Sequence, residues 1–139
     1  MRTQTTSSEA GTAAVGRDLA RELRPGAVVL LSGPLGAGKT AFVRGLAEGL
    51  GCDTNAVSSP TFTIVQEYRG PVTLQHVDLY RLAPAEVDEL GLDDLFEDQI
   101  AAVEWSERWR QPPADAVRVS IEVLDGDERR ITVGDYSTR

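Results

Sequence analysis

The segment Ala27-Val28-Val29-Leu30-Leu31 is apolar at every position and runs through Ser32 into Gly33-Pro34-Leu35-Gly36-Ala37-Gly38-Lys39-Thr40. A short apolar run without alternation belongs to a strand covered on both faces, as inside a parallel sheet. Beyond the glycines, Phe42, Val43, Leu46 and Leu50 recur at helical spacing between Thr40 and Leu50, and Gly51 stops the pattern. A buried strand, a glycine loop and a helix in that order commit the chain to an α/β fold.

The loop satisfies G-x-x-x-x-G-K-[ST] in the context that pattern requires. Its glycines let consecutive backbone N–H groups turn toward phosphate oxygens, and the helix start adds the positive end of its dipole. On this reading Gly33, Gly36, Ala37, Gly38, Lys39, Thr40 and Ala41 hold a nucleotide's phosphates. Lys39 reaches the β- and γ-phosphates, and the Thr40 hydroxyl is placed for Mg²⁺. Residue usage points the same way. Of the 14 Lys+Arg, Lys39 is the only lysine. A compact ammonium fits a closed phosphate loop where a planar guanidinium fork does not. With no lysine after residue 39, the guanine-reading N-K-x-D motif is absent, so ATP is favoured over GTP.

At 139 residues the chain is expected to form one domain. Residues 1 to about 7 are polar and are expected to be frayed. Ser8 to Leu23 reads as a helix capped by Ser7 or Ser8, with Val15, Leu19 and Leu23 on one face. Ser58 to Thr61 reads as a loop, since Pro60 disfavours helix at Ser59. Thr61–Tyr68 and Val72–Tyr80 form a hairpin candidate through Arg69-Gly70-Pro71. Pro84 opens a helical segment to about Asp98, and Ile100 to Trp105 is a second buried-strand candidate. Val117 to Leu124 alternates as a strand with one wet face, and Arg130 to Val133 returns after a turn at Asp125-Gly126. An α/β start and an antiparallel end predict a central mixed sheet with helices on its faces.

Nucleotide hydrolysis needs an acid at the end of a buried strand. Asp78 closes Leu74-Gln75-His76-Val77-Asp78, and Glu104 closes the cleaner Ile100-Ala101-Ala102-Val103-Glu104. By pattern alone either acid is equally well read as a polar strand end. Thr61 lies where a switch-type hydroxyl would sense a γ-phosphate, and reads equally well as a turn residue.

The net charge of −8 argues against the chain holding a nucleic acid by itself. The single Cys52 excludes an internal disulfide and fits a reducing compartment. No secretory pattern opens the sequence and no apolar run approaches a membrane span, so a cytoplasmic location without membrane contact is expected. His76, the only histidine, is given a structural part on its strand. Glu86, Asp88, Glu89, Asp93, Asp94, Glu97 and Asp98 form an acidic run, read as a solvated face or a docking surface for a basic partner.

GPLGAGKT, SSPTFTIVQEY, HVDLYRL and AVEW, in that order and over nearly the whole chain, resemble the TsaE family. The resemblance implies a P-loop fold and an ATPase weak alone, stimulated by partners and not itself the transferase. It implies work beside TsaB and TsaD in forming threonylcarbamoyladenosine at position 37 of tRNAs reading ANN codons. The tRNA would be met only through that complex. Carried onto these residues, Gly36 to Thr40 bind phosphates and Thr40 binds Mg²⁺. Glu104 is matched to Mg²⁺, and Asp78 to ordering the water or the metal shell. Thr61 falls in the switch-like loop, Thr12 near the adenine, and Arg130 where a late residue closes the site. Trp105 matches a family tryptophan that stacks or meets a partner. A small-molecule P-loop kinase and a nucleotide-dependent switch without hydrolysis are the competing readings.

Overall fold

The computed structural model describes residues 2–34, 37–54, 65–92 and 98–134. In chain order the elements are β1 (Arg2–Thr6), α1 (Glu9–Ala20), β2 (Val28–Ser32), α2 (Lys39–Gly49), β3 (Val65–Tyr68) and β4 (Leu74–Asp78). There follow α3 (Pro84–Leu90), β5 (Ile100–Glu104), a 3-10 turn (Ser106–Arg108), β6 (Val117–Val123) and β7 (Arg129–Gly134). The strands of the described residues form one seven-stranded sheet in the order β1-β7-β6-β2-β5-β4-β3. β2 lies between β5 and β6 and is parallel to both, while β4 extends the parallel block beyond β5. Antiparallel pairs close each side, β3 on β4 and β7 on β6 and β1. The expected mixed sheet with flanking helices is the observed one.

The unalternated apolar run of β2 has a direct cause. Val29 and Leu31 join a core with Val15, Leu19, Phe42, Val43 and Leu46, beneath α1 and α2. Val28 and Leu30 join a second core with Val87, Leu92 and Trp109 on the opposite face. β5 divides in the same way, Ile100 and Ala102 to the first core, Ala101 and Val103 to the second. β6 has only one covered face. Val119 and Ile121 are buried, while Arg118 before them and Glu122 after them are exposed.

α1 begins where Ser8 Oγ accepts the Gly11 N–H at 3.0 Å, as a capping serine does. It then packs against α2 at a separation that only glycines permit. A Cβ on Gly45 would lie 1.8 Å from the Ala13 carbonyl oxygen, and one on Gly16 2.3 Å from that of Phe42.

Two expectations change. The opening residues are not frayed: β1 pairs along its length with β7, from Arg2 opposite Val133 to Thr6 opposite Arg129. The sequence hides this edge strand because four of its five residues are exposed and it carries no apolar alternation. α3 ends at Leu90, short of Asp98, because Gly91 takes a left-handed conformation with φ of 65°. The Ser58–Thr61 loop, the first residues of the hairpin and Asp93, Asp94 and Glu97 of the acidic run lie outside the described residues.

Candidate phosphate-binding site

β2, β4 and β5 run in one direction, so their C-terminal ends share one edge of the sheet, where open α/β sheets form their ligand crevices. Strand register sets what lies there. Glu104 is the partner of Leu31 on one side and of Asp78 on the other. Both acids therefore stand level with the last turn of chain before the glycine loop.

The loop starts at Gly33, whose φ of 150° and close approach both demand glycine. A Cβ there would sit 2.6 Å from the Ile121 carbonyl oxygen. Gly38, with φ of 106°, precedes α2 and supplies no side-chain cap. Among the described residues the first N–H groups of α2 thus have no capping side chain, the condition for binding an anion at a helix start. Ala37 is fully buried and Thr40 half-buried on the first turn of α2. Gly36 and Thr61 lie outside the described residues.

Lys39 turns back over this loop. Its side chain is 6% exposed, and Nζ donates to the Gly33 carbonyl at 2.9 Å. The same ammonium is 3.7 Å from Glu104 Oε1 and 5.2 Å from the centroid of the Trp105 ring. Glu104 in turn meets His76, with Nε2 2.5 Å from Oε2. The histidine therefore has a specific partner in the site, which its position on a strand did not reveal.

Asp78 is less enclosed. Its Oδ1 accepts the Tyr80 N–H at 2.9 Å. Burial, aided by the negative charge of Glu104, pushes its carboxyl above the usual carboxylate range. The Tyr80 N–H and the nearby His76 and Lys39 pull the other way.

Trp105, next after Glu104, has φ of 58° and is the one non-glycine residue with positive φ among the described residues. That turn lays its ring against Tyr80, with centroids 4.9 Å apart. The Arg108 guanidinium, 5.6 Å from the Trp105 centroid, donates to the Leu82 carbonyl at 2.8 Å. Arg108 is a further residue beside the site that no sequence motif marks.

A cleft of about 320 Å³ opens between the start of α1 and the loop, lined by Ser7, Ser8, Glu9, Thr12, Ala37, Gly38, Asp127 and Arg129. Thr12 is buried there, its hydroxyl 2.9 Å from that of Thr6. Thr12 thus stands beside the loop. Arg130 does not. It pairs with exposed Glu122 at 3.8 Å, while Arg129 donates from Nε to the Ala37 carbonyl at 3.0 Å. Neighbouring residues of a strand face opposite sides, so one step in β7 exchanges the loop for the far face.

The donors suit a small hard cation. Thr40, Glu104 and Asp78 offer only oxygen, and the described residues hold no group of three or more His, Cys, Asp or Glu that could enclose a metal. Mg²⁺ is commonly held this way, by one or two carboxylates with phosphate oxygens and water completing its shell.

Fold and loop together define the class, a P-loop protein built to take a nucleotide's phosphates. Comparison with known proteins narrows this. The model of the family described as "Threonylcarbamoyl adenosine biosynthesis protein TsaE" matches residues 6–131. The "tRNA threonylcarbamoyladenosine biosynthesis protein TsaE" of Bacillus subtilis is 44% identical over 124 residues, covering 87% of this chain and 77% of that one. The protein of the same name from Treponema pallidum is 42% identical, covering 88% of this chain and 92% of its own. The crystal structure of Bacillus subtilis YdiB superposes with a TM-score of 0.81 at 35% identity, over 99% of this chain and 87% of that one. The chain belongs to the TsaE family. Among the described residues no helix is long and apolar enough to cross a membrane.

Proposed function

We propose that this protein is an ATPase of tRNA threonylcarbamoyladenosine formation, acting with TsaB and TsaD on tRNAs reading ANN codons. One observation carries the reading: Lys39, Glu104 and Asp78 converge where α2 begins, at the ends of adjacent parallel strands. The names of the relatives supply the pathway.

In this mechanism Lys39 exchanges the Gly33 carbonyl for β- and γ-phosphate oxygens, and the N–H groups at the start of α2 hold the remaining charge. Thr40 and Glu104 would hold Mg²⁺, which when bound neutralises charge on the β- and γ-phosphates. Asp78 accepts a hydrogen bond from the attacking water. A bond forms from that water's oxygen to the γ-phosphorus as the bond to the bridging oxygen breaks, giving ADP and phosphate. Trp105 and Tyr80 cover the phosphate end of the site. The likeness to the family favours a cytoplasmic protein that meets tRNA only through its partners.

Phosphate release is measured with purified partners, wild type against Glu104→Ala and Lys39→Ala. Slow release alone, faster release with partners and loss in both variants is the expected result. No hydrolysis with partners, together with tRNA modification supported by Lys39→Ala, refutes it. Phosphorylated small molecules in place of free phosphate would identify a kinase.

A further inference from the structure

We infer that His76 is a positioning residue that aims the Glu104 carboxylate at the phosphate site, a role that rests on the ATPase reading above. His76 is fully buried, and β4–β5 register sets it opposite Ala102, two pairs inward from Asp78 and Glu104. From there Nε2 lies 2.5 Å from Glu104 Oε2, while Oε1 faces Lys39 at 3.7 Å. One oxygen is anchored and the other presented to the site.

The direction of the bond follows from donor chemistry. An ionised carboxylate only accepts, so Nε2 carries the hydrogen. Nδ1 is buried without a hydrogen-bond partner among the described residues. A hydrogen there would be a stranded donor, so the tautomer is Nε2–H with Nδ1 bare. A leucine of similar bulk would fill the space equally well but leave Oε2 unpaired and Glu104 free to rotate. Partners of this kind behind a metal-binding side chain typically contribute about 10–100-fold to metal affinity.

Because the chain has a single histidine, long-range ¹H–¹⁵N spectra of tag-free, nucleotide-free protein report one imidazole. Protonation at Nε2, with resonances that shift in Glu104→Gln, is expected. Protonation at Nδ1, or an imidazole indifferent to Glu104→Gln, overturns the assignment. Affinity for a non-hydrolysable ATP analogue, with and without Mg²⁺, gives a second reading. His76→Leu is expected to lose about 10-fold or more of the Mg²⁺ response while Mg²⁺-free affinity stays within about 2-fold. His76→Gln, whose side-chain amide can donate in place of Nε2, is expected to restore most of it. Equal losses with and without Mg²⁺, or no rescue by glutamine, would make His76 a core filler. If wild type releases no phosphate with its partners the ATPase reading fails, yet the spectra still decide the His76–Glu104 bond.

Discussion

Lys39 and Glu104 are both 6% exposed and 3.7 Å apart, so each is the main compensation for the other's buried charge. At an effective dielectric of about 20, two unit charges at that separation attract by about 4.5 kcal/mol. Taking each ion out of water costs several kcal/mol, so the pair is close to balanced as a whole. The consequence is asymmetric. Lys39→Met leaves Glu104, among the described residues, with His76 alone and is expected to destabilise by about 3 kcal/mol. Glu104→Gln leaves the ammonium, among the described residues, with only the Gly33 carbonyl at hydrogen-bonding distance and is expected to cost about 2 kcal/mol. The double variant removes both charges and is expected to lie within about 1–2 kcal/mol of wild type. Urea unfolding at neutral pH, without nucleotide or Mg²⁺, closes the cycle. A coupling of about 3 kcal/mol supports a mutually dependent pair. Single effects that simply add, to within about 0.5 kcal/mol, would refute the reasoning.

Other parts of the molecule give equally direct expectations. Gly45→Ala drives a methyl into the Ala13 carbonyl, so α1 and α2 must part; a loss of about 3 kcal/mol or more is expected as a lower melting temperature by circular dichroism. Arg129→Ala removes a guanidinium bond to Ala37 and is expected to weaken binding of an ATP analogue by about 5–10-fold, while Arg130→Ala stays within about 2-fold, as titration calorimetry can measure. Burial holds the Cys52 thiol above its ordinary range, against the Leu74 backbone hydrogen bond. The unfolded thiol then ionises first, so the Cys52 contribution is intact below about pH 8.5 and is lost as pH rises through the folded value. Denaturation curves of Cys52→Ala should fall less steeply over that window. Asp78 follows the same sign at lower pH: it is an acid raised by burial, so its contribution is intact below its unfolded value of about pH 4 and is lost as pH rises through the folded value. Asp78→Asn, which still accepts from Tyr80, is expected to raise the melting temperature at pH 7, with the gain vanishing below about pH 4, and to abolish phosphate release.

What could be read from the sequence was fixed by neighbours along the chain. The continuous apolar runs of β2 and β5 report cover on both faces, and the glycines before α2 report a backbone that must approach something closely. What could not be read depends on register between distant segments. Nothing near His76 in the chain says that β4 will lie beside β5 with Asp78 opposite Glu104, and only that alignment brings the imidazole to the acid. Arg129 and Arg130 are chemically identical and adjacent, so only the parity of β7 tells which one meets Ala37. β1 is set by its partner: its exposed residues gain a place because β7 offers unpaired backbone groups. Its three threonines, favourable in strands, were the one available signal.

The single lysine acquires a physical reason from the same geometry. Its ammonium is compact and has three donors, and the pocket meets it with the Gly33 carbonyl, one oxygen of Glu104 and the face of Trp105. A guanidinium in that space would bring five N–H donors in a rigid plane to a site 6% exposed, and most would find no acceptor. Each stranded donor costs about 1–3 kcal/mol, more than arginine's closer match to a phosphate would return. Arginine is tolerated where the chain is open to solvent, as Arg2, Arg17 and Arg69 are in their surface pairs. Among the described residues Lys39 is the one buried lysine or arginine, and on the proposed ATPase reading it must also be ready to change partners. On that reading the Gly33 carbonyl holds it weakly enough to release, and Glu104 keeps it beside the place proposed for the phosphates.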